Sequence, residues 1–183
     1  QGVRSLLHLS GGGSETLGAG AGSGALVELE LGGLGVARAR ELLGGVTSLS
    51  AAPDGSCFFA GTWDGNRYLV DRAGLEPSLR GTSHPDPVRT VIFPAGSDAL
   101  FLTASKGSIR LWDAKERVEL LRIRVPGLEC HALAVSPSGD AIASAWEDGK
   151  VRVFGPESGR LQWVIPDAHS DGATAVAYTH GGD

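Results

Sequence analysis

Apolar and polar residues alternate over short stretches of this chain, and turn residues separate one stretch from the next. Residues 99–104 form an apolar run, Lys106-Gly107 makes a two-residue turn, and residues 109–113 alternate strictly. A further alternating run covers 121–125, and the same order of runs returns over 141–165. Alternation with a period of two, bounded by Gly and Pro, predicts half-buried β-strands. The sequence therefore predicts an all-β chain.

The turn signals themselves recur at a nearly constant spacing. They stand at Ser10-Gly11-Gly12, Pro53-Asp54-Gly55, Pro94-Ala95-Gly96, Pro137-Ser138-Gly139 and His180-Gly181-Gly182, in steps of 43, 41, 43 and 43 residues. A second set of positions that close an alternating run agrees, with steps of 42 residues: Leu29, Asp71, Asp113 and Gly155. A period in the low forties with about four strands per unit is typical of WD40-type β-propeller blades. We expect four four-stranded antiparallel blades, at 1–45, 46–81, 82–126 and 127–166, of which the first has the weakest repeat.

The remaining segment, 167–183, resembles the beginning of another repeat. Residues 173–178 alternate like the first strand of a fifth blade. A closed ring of four blades is conceivable, since propellers have about 4–8 blades. A larger ring accounts better for the extra strand, because a blade's apolar faces are covered only by its neighbours. We therefore expect one partial propeller domain from a seven-bladed ring, and the start at Gln1 without any Met is consistent with an internal fragment.

Composition limits the classes of partner. The chain has 183 residues, 42% of them hydrophobic, and a net charge of −5 with basic and acidic residues scattered along it. Binding to nucleic acid or to an anionic membrane surface needs a basic patch, so neither is expected. No apolar run reaches the 18 or more residues of a membrane span. Two isolated cysteines, Cys57 and Cys130, indicate a reducing compartment inside the cell.

A glycine-rich stretch, Gly18–Gly24, resembles a nucleotide-binding loop at first sight. It lacks the Lys-Ser/Thr of a phosphate loop, and an alternating strand follows it instead of a helix. We interpret it as a glycine-rich hairpin between blade strands, and no cofactor is expected.

The dipeptide Trp63-Asp64 spells the WD motif but stands in a turn between two strands. The closing position of the repeat is held by Val70-Asp71, Trp112-Asp113 and Phe154-Gly155. In such blades buried Asp, His and Ser/Thr groups can form hydrogen bonds across the strands. Structural roles are therefore predicted for Asp71, Trp112, Asp113, His84, His169 and Asp148, the last in a network with Ser144 and His131.

Catalysis is not expected. The five histidines lie in separate repeats, and no Ser/His/Asp trio, His-Glu pair or metal-binding spacing is present. Cys57, on an apolar strand, fits a buried small residue better than a nucleophile.

Groups at the ends of turns are the candidate partner contacts. Trp63 and Trp146 each stand beside an acidic turn, next to Asp64 and Glu147 respectively. Both tryptophans have two interpretations, an anchor for a partner or a side chain packed on the neighbouring blade. The basic candidates are Arg89, Lys106 and the pair Arg122 and Arg124, which are either solvated or suited to an acidic partner surface.

Several phrases are more specific than a general WD40 pattern. They are VPGLECH at 125–131, SAWEDGK at 144–150, PESGRL at 156–161 and DAH at 167–169, together with residues 118–123. On these phrases the chain resembles the C-terminal propeller of the cilia- and flagella-associated WD-repeat protein 52 family, specifically over about 91–178 and more loosely before that. The glycine-rich 11–24 departs most from the family.

The resemblance implies a function that the repeat pattern does not. Members of this family are tandem propellers inside ciliary doublet microtubules, where they contact tubulin and other luminal proteins and support axoneme stability and motility. The expected function is therefore a non-catalytic scaffold in the axoneme. The main alternative is a general WD40 adaptor that binds a peptide motif in a soluble complex, and a propeller enzyme is a distant third.

Overall fold

The computed structural model describes residues 2–11, 14–33, 35–79, 84–94, 97 and 99–179. These residues form sixteen strands in four four-stranded sheets, and no helix is present among them. In each sheet the strands follow chain order, so each sheet is an antiparallel meander. The predicted all-β class with four WD40-type blades is confirmed. The chain divides into two compact units, Gln1–Val91 and Ile92–Asp183.

The first unit contains two complete sheets. The first sheet has β1 (Val3–Gly11), β2 (Ser14–Ala21), β3 (Ala25–Glu30) and β4 (Val36–Glu41). The second has β5 (Val46–Ala51), β6 (Cys57–Thr62), β7 (Arg67–Asp71) and β8 (Glu76–Leu79). One apolar core joins these sheets, and it includes Leu26, Val46, Phe58 and Val70, all nearly inaccessible to solvent.

The third and fourth sheets follow. The third has β9 (Thr90–Ile92), β10 (Leu100–Ser105), β11 (Ser108–Asp113) and β12 (Glu119–Arg124). The fourth has β13 (Cys130–Val135), β14 (Ile142–Trp146), β15 (Val151–Phe154) and β16 (Leu161–Ile165). A second core, with Leu102, Ile109, Leu133 and Trp146 among its members, packs these sheets together. The turn at Lys106-Gly107 joins β10 to β11, as the alternation predicts.

The glycine-rich stretch belongs to the hairpin between β2 and β3, and some of its glycines lie inside a strand. Gly18 and Gly20 lie inside β2, and only residues 22–24 form the turn to β3. A Cβ atom at Gly20 would overlap the side chain of Val46 on the adjacent sheet. Glycine within a strand often marks such a close approach. Gly20 therefore lets the first two sheets pack closely.

The predicted first strand of a fifth blade, 173–178, is not a strand in the structure. A strand is defined by hydrogen bonds to a neighbour, and no described strand pairs with this segment. The segment is nevertheless attached, because Ala173 is buried and its N–H donates to the carbonyl of Trp146 at 2.9 Å. The turn signals at 10–12, 95–96 and 180–182 lie partly or wholly outside the described residues.

Candidate functional site

Most of the candidate contact residues lie on or beside tight turns between the second and third strands of a sheet, whereas Arg89 directly precedes β9. In the second sheet the turn follows Thr62, whose carbonyl accepts hydrogen bonds from Gly65 and Val88. In the fourth sheet the turn follows Trp146, whose carbonyl accepts from Gly149 and Ala173. The two turns therefore have the same backbone framework, and each is closed by the segment that leaves its sheet.

Trp63 is the first residue of the turn in the second sheet, and its side chain is 58% exposed. The Arg89 guanidinium lies over its ring, 4.8 Å from the ring centroid. The Trp63 backbone N–H donates a hydrogen bond to the carbonyl of Gly45, two residues after Leu43, which is 78% exposed. We call Leu43, Trp63, Asp64 and Arg89 the Trp63 surface. It combines exposed apolar area with a positioned cation.

Asp64 holds the turn that presents Trp63. Its carboxylate accepts hydrogen bonds from the Thr62 hydroxyl at 2.5 Å and from the Asn66 amide at 2.8 Å. Short polar side chains that bond within a turn in this way restrict its conformation. Asp64 is exposed as well, so it combines a role in the turn with a place on the Trp63 surface.

Trp146 does not match Trp63, and its prediction as an exposed contact is wrong. Trp146 is fully buried and donates its indole N–H to the Ser144 hydroxyl at 2.8 Å. The backbone framework aligns Trp146 with Thr62, and Glu147 with Trp63. A shift of one residue in a strand moves a side chain to the opposite face. The alternative interpretation, a tryptophan packed in the core, describes Trp146.

Lys106 and Glu147 are exposed residues of the turns in the third and fourth sheets. The Glu147 N–H donates to the carbonyl of Glu129 at 3.0 Å. The structure brings Trp63, Asp64 and Arg89 together within the first unit, whereas Lys106 and Glu147 belong to the second unit. A role in partner contacts stays a prediction for all five.

Residues at the closing positions of the repeat form hydrogen bonds and packing contacts within their own sheet. The Asp71 carboxylate accepts from the Gly74 N–H, and Asp113 accepts from the N–H groups of Lys115 and Glu116. Trp112 is buried, stacks on Phe101 with ring centroids 6.0 Å apart, and donates to the Thr103 hydroxyl at 2.8 Å. Both aspartates therefore cap the turn that follows their strand.

The predicted network of Asp148, Ser144 and His131 does not form. Asp148 instead accepts two hydrogen bonds from Arg152, at 2.9 and 2.7 Å, which lower the pKa of its carboxyl. Ser144 donates to the carbonyl of Arg152. An arginine on the adjacent strand supplies a bidentate, charge-assisted partner for this carboxylate.

The two histidines before a blade share backbone geometry but differ in burial. His84 is 2% exposed, and its backbone N–H donates to the carbonyl of Gly65. His169 is exposed, and its backbone N–H donates to the carbonyl of Gly149. The two positions thus share a backbone hydrogen bond, whereas their imidazole groups differ in exposure.

Ion pairs within the sheets were not anticipated from the sequence. Glu28 is 3% exposed, accepts a hydrogen bond from Thr16 at 2.7 Å, and pairs with Arg38 on the neighbouring strand. Arg152 pairs with Asp148, and Arg110 and Arg122 share Glu119. The available signal is the alternation of arginines, as in Arg38 and Arg40 or Arg122 and Arg124, along outer strands.

A metal site, a reactive cysteine and a membrane-spanning helix each have requirements that can be checked against the described residues. No group of three or more His, Cys, Asp or Glu side chains among them could hold a metal ion. Burial raises the pKa of the Cys130 thiol, which disfavours the reactive thiolate. In the part of the chain that the structure describes, no helix is long and apolar enough to cross a membrane.

Comparison with known proteins places these repeats in a family. The model of the WD domain, G-beta repeat, matches residues 40–66 and 76–113. The chain is 41% identical over 160 residues to cilia- and flagella-associated protein 52 of Homo sapiens, which covers 87% of the chain and 26% of that protein. The Sus scrofa protein of the same name is 44% identical over 76% of the chain and 22% of its own length.

The Chlamydomonas reinhardtii protein of that name is 42% identical over 73% of the chain and 22% of its own length. The chain belongs to the cilia- and flagella-associated protein 52 family. The resemblance to this family expected from the sequence is thus confirmed. The chain spans about a quarter of the length of these relatives.

Proposed function

We propose that this chain is a propeller segment of a non-catalytic scaffold in the axoneme of cilia and flagella. In this role it binds tubulin and neighbouring inner proteins in the lumen of doublet microtubules and supports axoneme stability and motility. Membership of a family named for cilia and flagella supports the location. WD40 repeats support a role in protein binding.

The observation that carries the binding role is the Trp63 surface. A tryptophan that is 58% exposed on a constrained turn is a large apolar group held ready for a partner. Covering roughly 100 Å² of its ring contributes about 2.5 kcal/mol. Arg89 already lies over the ring, so little further ordering is needed when a partner binds.

We further propose that the four sheets are part of a seven-bladed ring. His169 and Ala173 bond to the fourth sheet as His84 and Val88 bond to the second, and Val88 is followed directly by the next sheet. The Trp163 side chain on β16 is 74% exposed. Its counterpart on β12, Leu121, packs in the core between the third and fourth sheets. A following blade would cover Trp163 in the same way.

The test is retention of the full-length protein in isolated axonemes. Trp63→Ala is compared with Val118→Ala, which removes an exposed apolar side chain from a different turn. We expect Trp63→Ala to be extracted at lower salt than the wild type, and Val118→Ala to behave like the wild type. Equal retention of both variants would refute the role of the Trp63 surface. Absence of the wild type from axonemes would refute the scaffold proposal and favour a soluble peptide-binding adaptor.

A further inference from the structure

Three arginines lie on a single face of the third sheet, and two of them share the carboxylate of Glu119. Arg110 on β11 stands directly opposite Arg122 on β12, and Arg124 lies two residues further along β12 on the same face. Glu119 accepts two hydrogen bonds from Arg122, both at 2.7 Å, and one from Arg110 at 3.4 Å. We call Arg110, Glu119, Arg122 and Arg124 the arginine cluster. It carries an excess of two positive charges.

The positive charge of Arg110, the most buried member of the cluster, is only partly balanced by Glu119. Arg110 is 5% exposed, and its Nε has no hydrogen-bond partner among the described residues. Burial lowers the pKa of Arg110, and the positive charges of Arg122 and Arg124 lower it further, against the opposing effect of Glu119. Arginine nevertheless stays protonated in proteins. A buried guanidinium therefore adds a permanent positive field beneath the two outer arginines.

In the fourth sheet Arg152 stands at the position that corresponds to Arg110, and a carboxylate balances its positive charge. Arg152 lies over the ring of Trp146, 5.5 Å away, as Arg110 lies over Trp112 at 5.9 Å. Arg152, however, receives a bidentate carboxylate from Asp148 in the adjacent turn. The turn of the third sheet has Lys106 instead of an acidic residue. Arg110 thus has no carboxylate from its turn and shares Glu119 with Arg122, whereas Arg152 has the carboxylate of Asp148.

We propose that the arginine cluster is a docking site for an acidic segment of a partner protein, bound through Arg122 and Arg124. Both side chains are exposed to solvent on β12, the outermost strand of the sheet. Guanidinium groups bind carboxylates through paired, charge-assisted hydrogen bonds. A partner carboxylate on Arg122 also lets Glu119 turn towards Arg110, so binding improves the compensation of the buried charge. The chain as a whole is negative, at −5, so an acidic ligand is attracted only where positive charge is locally in excess, as it is at the arginine cluster.

The test measures binding of a fluorescein-labelled hexaglutamate peptide to the full-length protein by fluorescence anisotropy. Hexaglutamine is the uncharged control peptide, and an oligonucleotide of equal charge tests whether nucleic acid binds instead. The double variant Arg122→Gln and Arg124→Gln removes the exposed charges. Its matched control is Arg160→Gln, an exposed arginine in a turn outside the cluster.

We expect hexaglutamate to bind, to bind more weakly as salt is raised, and to lose about tenfold in affinity in the double variant. Arg160→Gln and the wild type should bind equally. The proposal is overturned if hexaglutamate does not bind at low salt, if both variants bind like the wild type, or if the oligonucleotide binds more tightly. The inference is independent of the proposed ciliary location, since peptide binding by the purified protein does not depend on where the protein resides.

Discussion

Gly149 is the residue on which attachment of the segment after the fourth sheet depends most directly. Its φ angle is +76°, and a Cβ atom there would overlap the backbone carbonyl oxygens of His169 and Asp171. Gly107, in the equivalent turn of the third sheet, has a φ angle of +75° but no atom within 4 Å of a Cβ position. The two glycines therefore separate the cost of the backbone conformation from the cost of the collision.

Alanine at Gly107 should destabilise the protein by about 1–2 kcal/mol, the usual cost of a left-handed non-glycine residue. Alanine at Gly149 adds a collision with rigid backbone, which costs about 1–3 kcal/mol more. This extra cost should fall on the bonds from His169 to Gly149 and from Ala173 to Trp146, because the colliding segment carries both donors.

Hydrogen–deuterium exchange of the full-length protein, followed by mass spectrometry, measures this effect locally. In Gly149→Ala, peptides that contain His169 and Ala173 should exchange about 5- to 150-fold faster than in the wild type. In Gly107→Ala these peptides should exchange at the wild-type rate. Equal exchange of the peptides in both variants would refute the reasoning, because the collision would then have no consequence for attachment of the segment.

Three further predictions concern the turns and the cores. Trp146→Phe should lower the free energy of unfolding by about 1–3 kcal/mol, because it leaves the Ser144 hydroxyl without its buried donor. The control Trp63→Phe should change the free energy of unfolding by less than about 0.5 kcal/mol. Equal effects of the two variants in urea denaturation would contradict the burial of Trp146. Hydrogen bonds from Arg152 lower the pKa of Asp148 below its usual value of 3.8, so its contribution to stability is present above that pH and is lost as the pH falls through the lowered pKa. Asp148→Asn should therefore be less stable than the wild type at neutral pH and show a weaker loss of stability in acid, and an unchanged acid profile would contradict this assignment. Finally, residues 1–183 purified alone should expose Trp163 and aggregate on heating; cooperative unfolding without aggregation would argue against a covering blade.

The repeat of the fold could be predicted from the sequence because each strand has one buried face. Alternation, as at 109–113, predicts where a strand lies. Glycine at a turn position, such as Gly149, predicts where strands are joined. The hairpin formed by the glycine-rich stretch could be predicted, whereas the packing role of Gly20 could not, because it depends on Val46 from the next sheet. Close approach between sheets leaves no local mark in the sequence other than the glycine itself.

The candidate site was predictable only in part. Trp63 and Trp146 look alike in sequence, each beside an acidic turn, and a register difference of one residue decides which is exposed. The sharing of Glu119 by Arg110 and Arg122 depends on cross-strand register, which includes a bulge between Leu111 and Trp112. Such pairings follow from hydrogen-bond register and could not be read from spacing alone.

Cross-linking mass spectrometry of the intact protein in isolated axonemes tests the scaffold role most directly. Lys106, Lys115 and Lys150 are the residues to follow in this part of the chain. The account predicts cross-links from these lysines to tubulin or to other proteins of the doublet lumen. Absence of the protein from axonemes, or cross-links to soluble partners alone, would contradict it.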